Sequence, residues 1–204
     1  MFINNLSYNQ TIIKKWRQTV FLRLLILMIF IMFAATKNNV KTAVLSLGTN
    51  IGERSDNLKT ATLFLNEEVG RVVKSSSVIE TESWGFDSAP FLNQAIVIET
   101  DLAPLDLLNA IKTIERKMGR ETKTAVNPET GKPEYSDRII DIDILLYGSS
   151  IISHPELTVP HPLISKRAFV LQPLTELFGN EVIAPFELSF NSMLEKLNHY
   201  GDKI

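Results

Sequence analysis

The chain predicts an α+β fold, with a four-stranded sheet carrying two helices on one face. Three observations point to it. β-prone runs and helical periodicities follow one another in the order β-α-β-β-α-β. Gly, Pro and Asp fall at the boundaries between them. The 204 residues contain no repeats and suffice for one well-packed domain. That order is the ferredoxin-like split βαβ arrangement.

Residues 41–47 form the first β-prone run, and Gly48-Thr49-Asn50 with Gly52 reads as a turn. Residues 56–69 carry helical spacing through Leu58, Ala61, Leu65 and Val69, with Gly70 placed to end the helix. Residues 72–81, rich in Val, Ser and Ile, read as one strand, residues 84–90 as a loop, and residues 91–100 as a third strand. Pro104 suits a helix start, and Leu105, Leu108, Ile111, Ile114 and Met118 mark one face before Gly119 ends it. The polar stretch 121–136 reads as a long loop, a length that usually signals function or disorder. Residues 138–147 are the last strand of the set. Beyond Tyr147 come a short strand, a Pro-rich loop and two helical stretches at 167–177 and 188–199, a C-terminal helical extension.

The last strand, Arg138-Ile-Ile-Asp141-Ile-Asp143-Ile-Leu-Leu-Tyr147, is apolar nearly throughout yet holds two acids. Side chains alternate across a strand, so Asp141 and Asp143 share a face about 6–7 Å apart, two strand rises. Isoleucines 140, 142 and 144 take the other face. Buried carboxylates side by side repel and resist desolvation, a cost that a divalent cation removes. Oxygen-rich pairs of this kind hold Mg²⁺ beside polyphosphates. The solvated face of an edge strand would carry the same acids at no cost.

Cations surround this strand in the sequence. Arg120 closes the preceding helix, Arg138 opens the strand, and His161 and Arg167 follow it. Arginine pairs with phosphate oxygens through a planar fork that stays charged. Each alone fits an ordinary role as well: Arg120 as a cation on a helix C-terminus, Arg167 as a solvated helix start. Arg138 points away from Asp141 if the strand is regular at that point, and turns freely if it lies at the loop end. His161 is stiffened by Pro160 and Pro162. Asn93, inside an apolar strand, needs its amide satisfied, by a heterocycle edge or by neighbouring backbone. Phe91 and Phe169 suit either a flat ring or the core. The chain has no cysteine, which excludes disulfides and thiolate chemistry.

Together these residues identify a resemblance. The segments Leu45-Ser-Leu-Gly-Thr-Asn50, Phe91-Leu-Asn93-Gln, Ile114-Glu-Arg-Lys-Met-Gly-Arg120, the acidic strand, Leu157-Thr-Val-Pro-His-Pro162 and Arg167-Ala-Phe-Val-Leu-Gln-Pro-Leu-Thr-Glu176 resemble the 6-hydroxymethyl-7,8-dihydropterin pyrophosphokinases of folate biosynthesis. The likeness covers about residues 44–197. It implies that a pterin hydroxymethyl oxygen attacks the β-phosphorus of ATP and that AMP is released. It further implies two Mg²⁺ ions on Asp141 and Asp143, and phosphate binding and catalysis by Arg138, His161 and Arg167, with Arg120 also on the phosphates. Glu115, Ile144 and Thr158 would help hold ATP. Thr81, Trp84, Phe91, Asn93 and Phe169 would form the pterin pocket. Two departures stand out. Ser136-Asp137-Arg138 replaces the family's frequent Gly-Pro-Arg, and the loop 121–136 is longer than in compact members.

Charge is unevenly distributed. Residues 1–39 hold five of the 21 basic residues and no acid, leaving 16 basic and 23 acidic residues in the body, a charge of −7. An acidic body argues against nucleic acid as a partner and against an RNA-binding domain of the same fold. A non-catalytic small-molecule module and a metal-dependent nucleotidyl transferase are the other rivals. Residues 24–35 are an unbroken apolar run of twelve behind a basic cluster, too short to span a bilayer. A signal or anchor, an added helix, or a true start at Met28 or Met32 each fits this extension. The last accords best with the body, residues 40–204, expected to be cytoplasmic and to meet ATP and a reduced pterin rather than a membrane.

Overall fold

The computed structural model describes residues 20, 21, 23, 24, 26–28, 40–83, 88–120 and 137–201, with backbone alone at 125, 126, 133, 134, 200 and 201. The chain divides into two compact units, residues 1–40 and 41–204. In the first, the described residues between 20 and 28 are helical and exposed. Among the described residues no helix is long and apolar enough to cross a membrane.

The second unit is a mixed α/β structure on an antiparallel sheet. Its elements run β1 (Lys41–Thr49), α1 (Arg54–Glu68), β2 (Arg71–Ser75), β3 (Ile79–Thr81), β4 (Phe91–Thr100), α2 (Pro104–Lys117), the two-residue pair β5 (Ala125–Val126) and β6 (Pro133–Glu134), β7 (Asp141–Tyr147), the hairpin β8 (Ile152–His154) and β9 (Leu157–Val159), α3 (Ala168–Phe178) and α4 (Phe190–Gly201). The main sheet is ordered β2-β4-β1-β7, with β3 also paired to β4. Every pairing in it is antiparallel.

Both faces of the sheet are covered. Leu45, Leu47, Ile96, Ile98, Ile142 and Ile144 pack with Leu58 and Leu65 of α1 and Leu107, Ile111 and Ile114 of α2. On the other face Val44, Ala95, Val97, Leu145 and Leu146 meet Val170, Leu171 and Leu174 of α3 and Phe190 and Met193 of α4. The C-terminal helices are therefore a third layer. That explains the near-continuous apolar reading of β7, since a strand buried on both faces loses its alternation. A register shift opposite Val44 and Leu45 leaves Leu145 without a partner in the β1–β7 ladder. Such a bulge lets consecutive residues Leu145 and Leu146 enter the same core before Tyr147 returns to the first.

Three details differ from the expectation. Residues 72–81 are not one strand: β2 stops at Ser75 and β3 restarts at Ile79. Ser76 causes the break, because its buried Oγ accepts the Ala95 N–H at 3.0 Å and replaces a ladder bond. Glu176 of α3 holds the break open, accepting the Ser77 N–H at 2.8 Å and the Ser77 hydroxyl at 2.5 Å. On α2, Leu107 is fully buried while Leu105 is exposed, so the buried stripe runs Leu107, Ile111, Ile114. Leu105 sits two residues earlier, about 200° round the helix, which turns it outward. Finally, Gly48 and Thr49 belong to β1, and the turn begins at Asn50.

Gly70 is required by a close approach. A Cβ there would lie 2.3 Å from the Glu99 carbonyl oxygen, where the chain leaves α1 and enters β2.

Candidate active site

At the end of the sheet where β1 finishes and β4 and β7 begin, the second face turns polar. Register places Gly48 opposite Asp141 and Ser46 opposite Asp143, with Gly48 opposite Asn93 on the other side. Small residues on the central strand leave room between the acids and the amide. A Cβ on Gly48 would crowd the Asn93 Oδ1 at 3.3 Å. The resulting cavity, about 240 Å³, is lined by Ser46, Gly48, Thr81, Glu82, Phe91, Asn93, Arg120, Arg138, Asp141, Asp143, His161, Arg167 and Phe169.

Arg138 lies just before β7 rather than in it, so it is free of the strand's alternation and turns back onto Asp141, its guanidinium bonding Oδ2. Arg120 reaches Asp141 Oδ1 at 2.5 Å and also bonds Glu115. Glu115 in turn accepts the Ile142 N–H at 2.9 Å, fixing α2 to β7 beside the acids. Burial raises the Glu115 carboxyl above its ordinary value in spite of Arg120. Asp143 has a looser partner: Arg167 Nη1 stands 3.9 Å from Oδ2. Burial and the neighbouring Asp141 push the Asp143 carboxyl up to about 7, against the pull of Arg167. The Arg167 guanidinium lies 5.5 Å from the centre of the Phe169 ring.

His161 is neutral at physiological pH. Burial and then Arg167 lower it to about 4. Its Nδ1 accepts the Leu163 N–H at 3.3 Å, which leaves the ring proton on Nε2. Asn93 is 3% exposed and donates from Nδ2 to the Thr81 hydroxyl at 2.9 Å.

Two clefts adjoin the cavity. One, about 650 Å³, is lined by Leu108, Lys112, Glu115, Arg120, Asp141 and Asp143 among others. The second, about 300 Å³, is lined by residues that include Leu108, Ile144, Leu157, Thr158 and His161, and Asp143 again. Asp143 thus borders all three spaces. Glu115 and the pair Ile144 and Thr158 line the two clefts rather than the central cavity. Trp84 lies outside the described residues.

The donor set suits a hard cation. Among the described residues no cluster of three or more His, Cys, Asp or Glu forms a closed metal cage. Two carboxylates with open space beside them match Mg²⁺, which keeps waters and takes its remaining ligands from substrate phosphates. The Asp143 carboxyl is raised first by burial and then by Asp141, and a bound cation would favour its charged form.

Sequence reading placed Gly48 and Asn50 in a turn without assigning them to the cavity wall, and it missed Ser46 and Glu82 as lining residues and Ser88 and Asp137 around them. Gly48 and Ser46 are legible only through strand register, which places them opposite the acids. Asn50 shows in hindsight as a polar residue that is nonetheless 3% exposed.

The chain is similar to known proteins. The profile of the 7,8-dihydro-6-hydroxymethylpterin-pyrophosphokinase (HPPK) family matches residues 44–179. A 2-amino-4-hydroxy-6-hydroxymethyldihydropteridine pyrophosphokinase of Porphyromonas gingivalis is 42% identical over 134 residues, covering 65% of this chain and 87% of its own. The Bacillus subtilis protein of the same name is 39% identical over 142 residues, covering 69% of this chain and 78% of its own. In structure, a Plasmodium falciparum HPPK-DHPS chain superposes with a TM-score of 0.60 at 16% identity, over 80% of this chain and 46% of that one. The last comparison speaks to fold alone, and this chain spans less than half of that solved chain. The profile match runs from within β1 through the acidic strand and the His161 segment to the end of α3, so the chain belongs to the 7,8-dihydro-6-hydroxymethylpterin-pyrophosphokinase family.

Proposed function

We propose that residues 40–204 form a ferredoxin-like catalytic domain that transfers pyrophosphate from ATP to the hydroxymethyl group of 6-hydroxymethyl-7,8-dihydropterin. The hydroxymethyl oxygen forms a bond to the β-phosphorus, the bond from that phosphorus to the α–β bridging oxygen breaks, and AMP leaves. The hydroxyl proton is released to solvent. The observation that carries this reading is the position of Asp143 on the border of three spaces, one partly aromatic with an amide and two along α2 and the β8–β9 hairpin.

In this reading the pterin occupies the cavity of Phe91, Asn93 and Phe169, with Asn93 meeting its amide-like edge. The Thr81 hydroxyl fixes the Asn93 amide from behind. ATP lies along the clefts, with Leu108, Ile144 and Thr158 near the nucleoside and Glu115 bracing Arg120. Two Mg²⁺ ions on Asp141 and Asp143 would neutralise charge on the attacking and leaving oxygens.

The charges inside the site support a requirement for cations. Arg120 and Arg138 are already paired with Asp141, and Arg167 faces Asp143. A polyphosphate entering alone would add negative charge to arginines that are already compensated. When cations take over the aspartates, the three guanidinium groups can turn to phosphate oxygens instead. Neutral His161 donates from Nε2 without needing a proton from solvent. No nucleophilic side chain or general-base pair is needed, since positioning and charge stabilisation supply the rate in phosphoryl transfer.

Asp141→Asn and Asp143→Asn test the reading. Each should lower kcat by about 100-fold or more at saturating Mg²⁺. Circular dichroism and thermal unfolding should show an intact fold. Near-normal turnover of either variant would remove the two-metal assignment.

A further inference from the structure

Three separated segments meet in a hydrogen-bonded triangle beside the cavity. Asn50, at the end of β1, pairs its backbone with that of Arg138: the Asn50 N–H donates to the Arg138 carbonyl at 3.1 Å. The Arg138 N–H donates to Asn50 Oδ1 at 2.7 Å. The Asn50 Nδ2 donates to Asp137 Oδ1 at 2.7 Å and to Ser88 Oγ at 2.9 Å. The Ser88 hydroxyl closes the triangle by donating to the same Asp137 oxygen. Ser88 stands three residues before Phe91, and the Pro90 carbonyl between them is held by Arg54 at 2.7 Å. Asp137 adjoins Arg138.

We propose that Asp137 is a positioning residue: by accepting from Ser88 and Asn50 together, it ties the segment carrying Arg138 to the segment leading into Phe91. The arginine wall and the aromatic wall of the cavity are then set by one another. Both bonds require an acceptor at position 137, and they hold the carboxyl below its ordinary value. An alanine there removes the shared acceptor and leaves Ser88 and Asn50 to water. An asparagine keeps an oxygen in the same place. The consequence for turnover rests on the pyrophosphokinase reading; the consequence for backbone order does not.

The experiment combines Asp137→Ala, Ser88→Ala, the double variant and Asp137→Asn, read by hydrogen exchange and by steady-state kinetics with ATP, Mg²⁺ and the reduced pterin. In either single alanine variant, protection should fall both at the Arg138 amide and around residues 88–92. Turnover should fall by up to about tenfold in kcat, the net worth of one hydrogen bond whose partners turn to water, with the KM for ATP nearly unchanged. The double variant should be no worse than either single variant, and Asp137→Asn should restore both readouts. Exchange that stays wild-type at residues 88–92 in Asp137→Ala, or kinetic losses that multiply in the double variant, would overturn the proposal. A wild-type protein inactive with the pterin and ATP would contradict the function, while the exchange data still judge the triangle.

Discussion

Asp143 concentrates the electrostatics of the site at one side chain. Its carboxyl is raised from 3.8 to about 7 by burial and by Asp141. Between those values the folded chain keeps a proton that the unfolded chain has lost. Stability of the metal-free protein therefore falls as pH rises through that window. Asp143→Asn should flatten this slope in thermal unfolding followed from pH 4 to pH 8. In the proposed two-metal site Mg²⁺ would bind the charged form, so it should raise the melting temperature more at pH 8 than at pH 5. A melting temperature of the metal-free protein that rises from pH 4 to pH 7, with the same slope in Asp143→Asn, would contradict the assignment. His161 moves the other way, to about 4, and stays neutral across this range except at its acid end.

At the scale of elements, sequence patterns fixed more than their boundaries. The span 91–100 matches β4 throughout, a stretch bounded by Pro90 and Asp101 with the apolar, β-branched run Ala95-Ile-Val-Ile98 at its centre. The acidic strand was legible because two carboxylates at a spacing of two stand out among isoleucines. Arg138 was ambiguous because the strand start decides its side, and only the backbone shows that β7 begins at Asp141. Neither the Ser76 break nor the triangle at Asn50 was legible, because each depends on partners 19 to 99 residues away. The register of α2 went astray at Leu105, where one turn of alternative leucines at 105, 107 and 108 leaves the buried face undecided. Mutation separates the two registers. Leu107→Ala should cost about 2–5 kcal/mol and Leu105→Ala no more than about 0.5 kcal/mol, measured by denaturant unfolding. Equal losses would mean that the buried stripe is wrong.

Across the whole molecule, the three layers explain how an acidic body builds a site for a polyanion. α1 and α2 cover one face of the sheet, and α3 and α4 cover much of the other. The polar end of that second face gathers Asn93, Asp141 and Asp143 from different strands, while Arg167 stands at the N-terminal boundary of α3. Sequence distance hides this gathering, and antiparallel register produces it. The charge of −7 on residues 40–204 is no obstacle, since the guanidinium groups of Arg120, Arg138 and Arg167 are concentrated beside the acids. The most direct test of the account is product analysis: AMP and pyrophosphorylated pterin, quantified after incubation with ATP in the presence and absence of Mg²⁺ and of reduced hydroxymethylpterin. The account predicts the two products in equal amounts, and only when both Mg²⁺ and the pterin are present. Release of free pyrophosphate with an adenylylated pterin, or ATP left intact in the complete mixture, would contradict it.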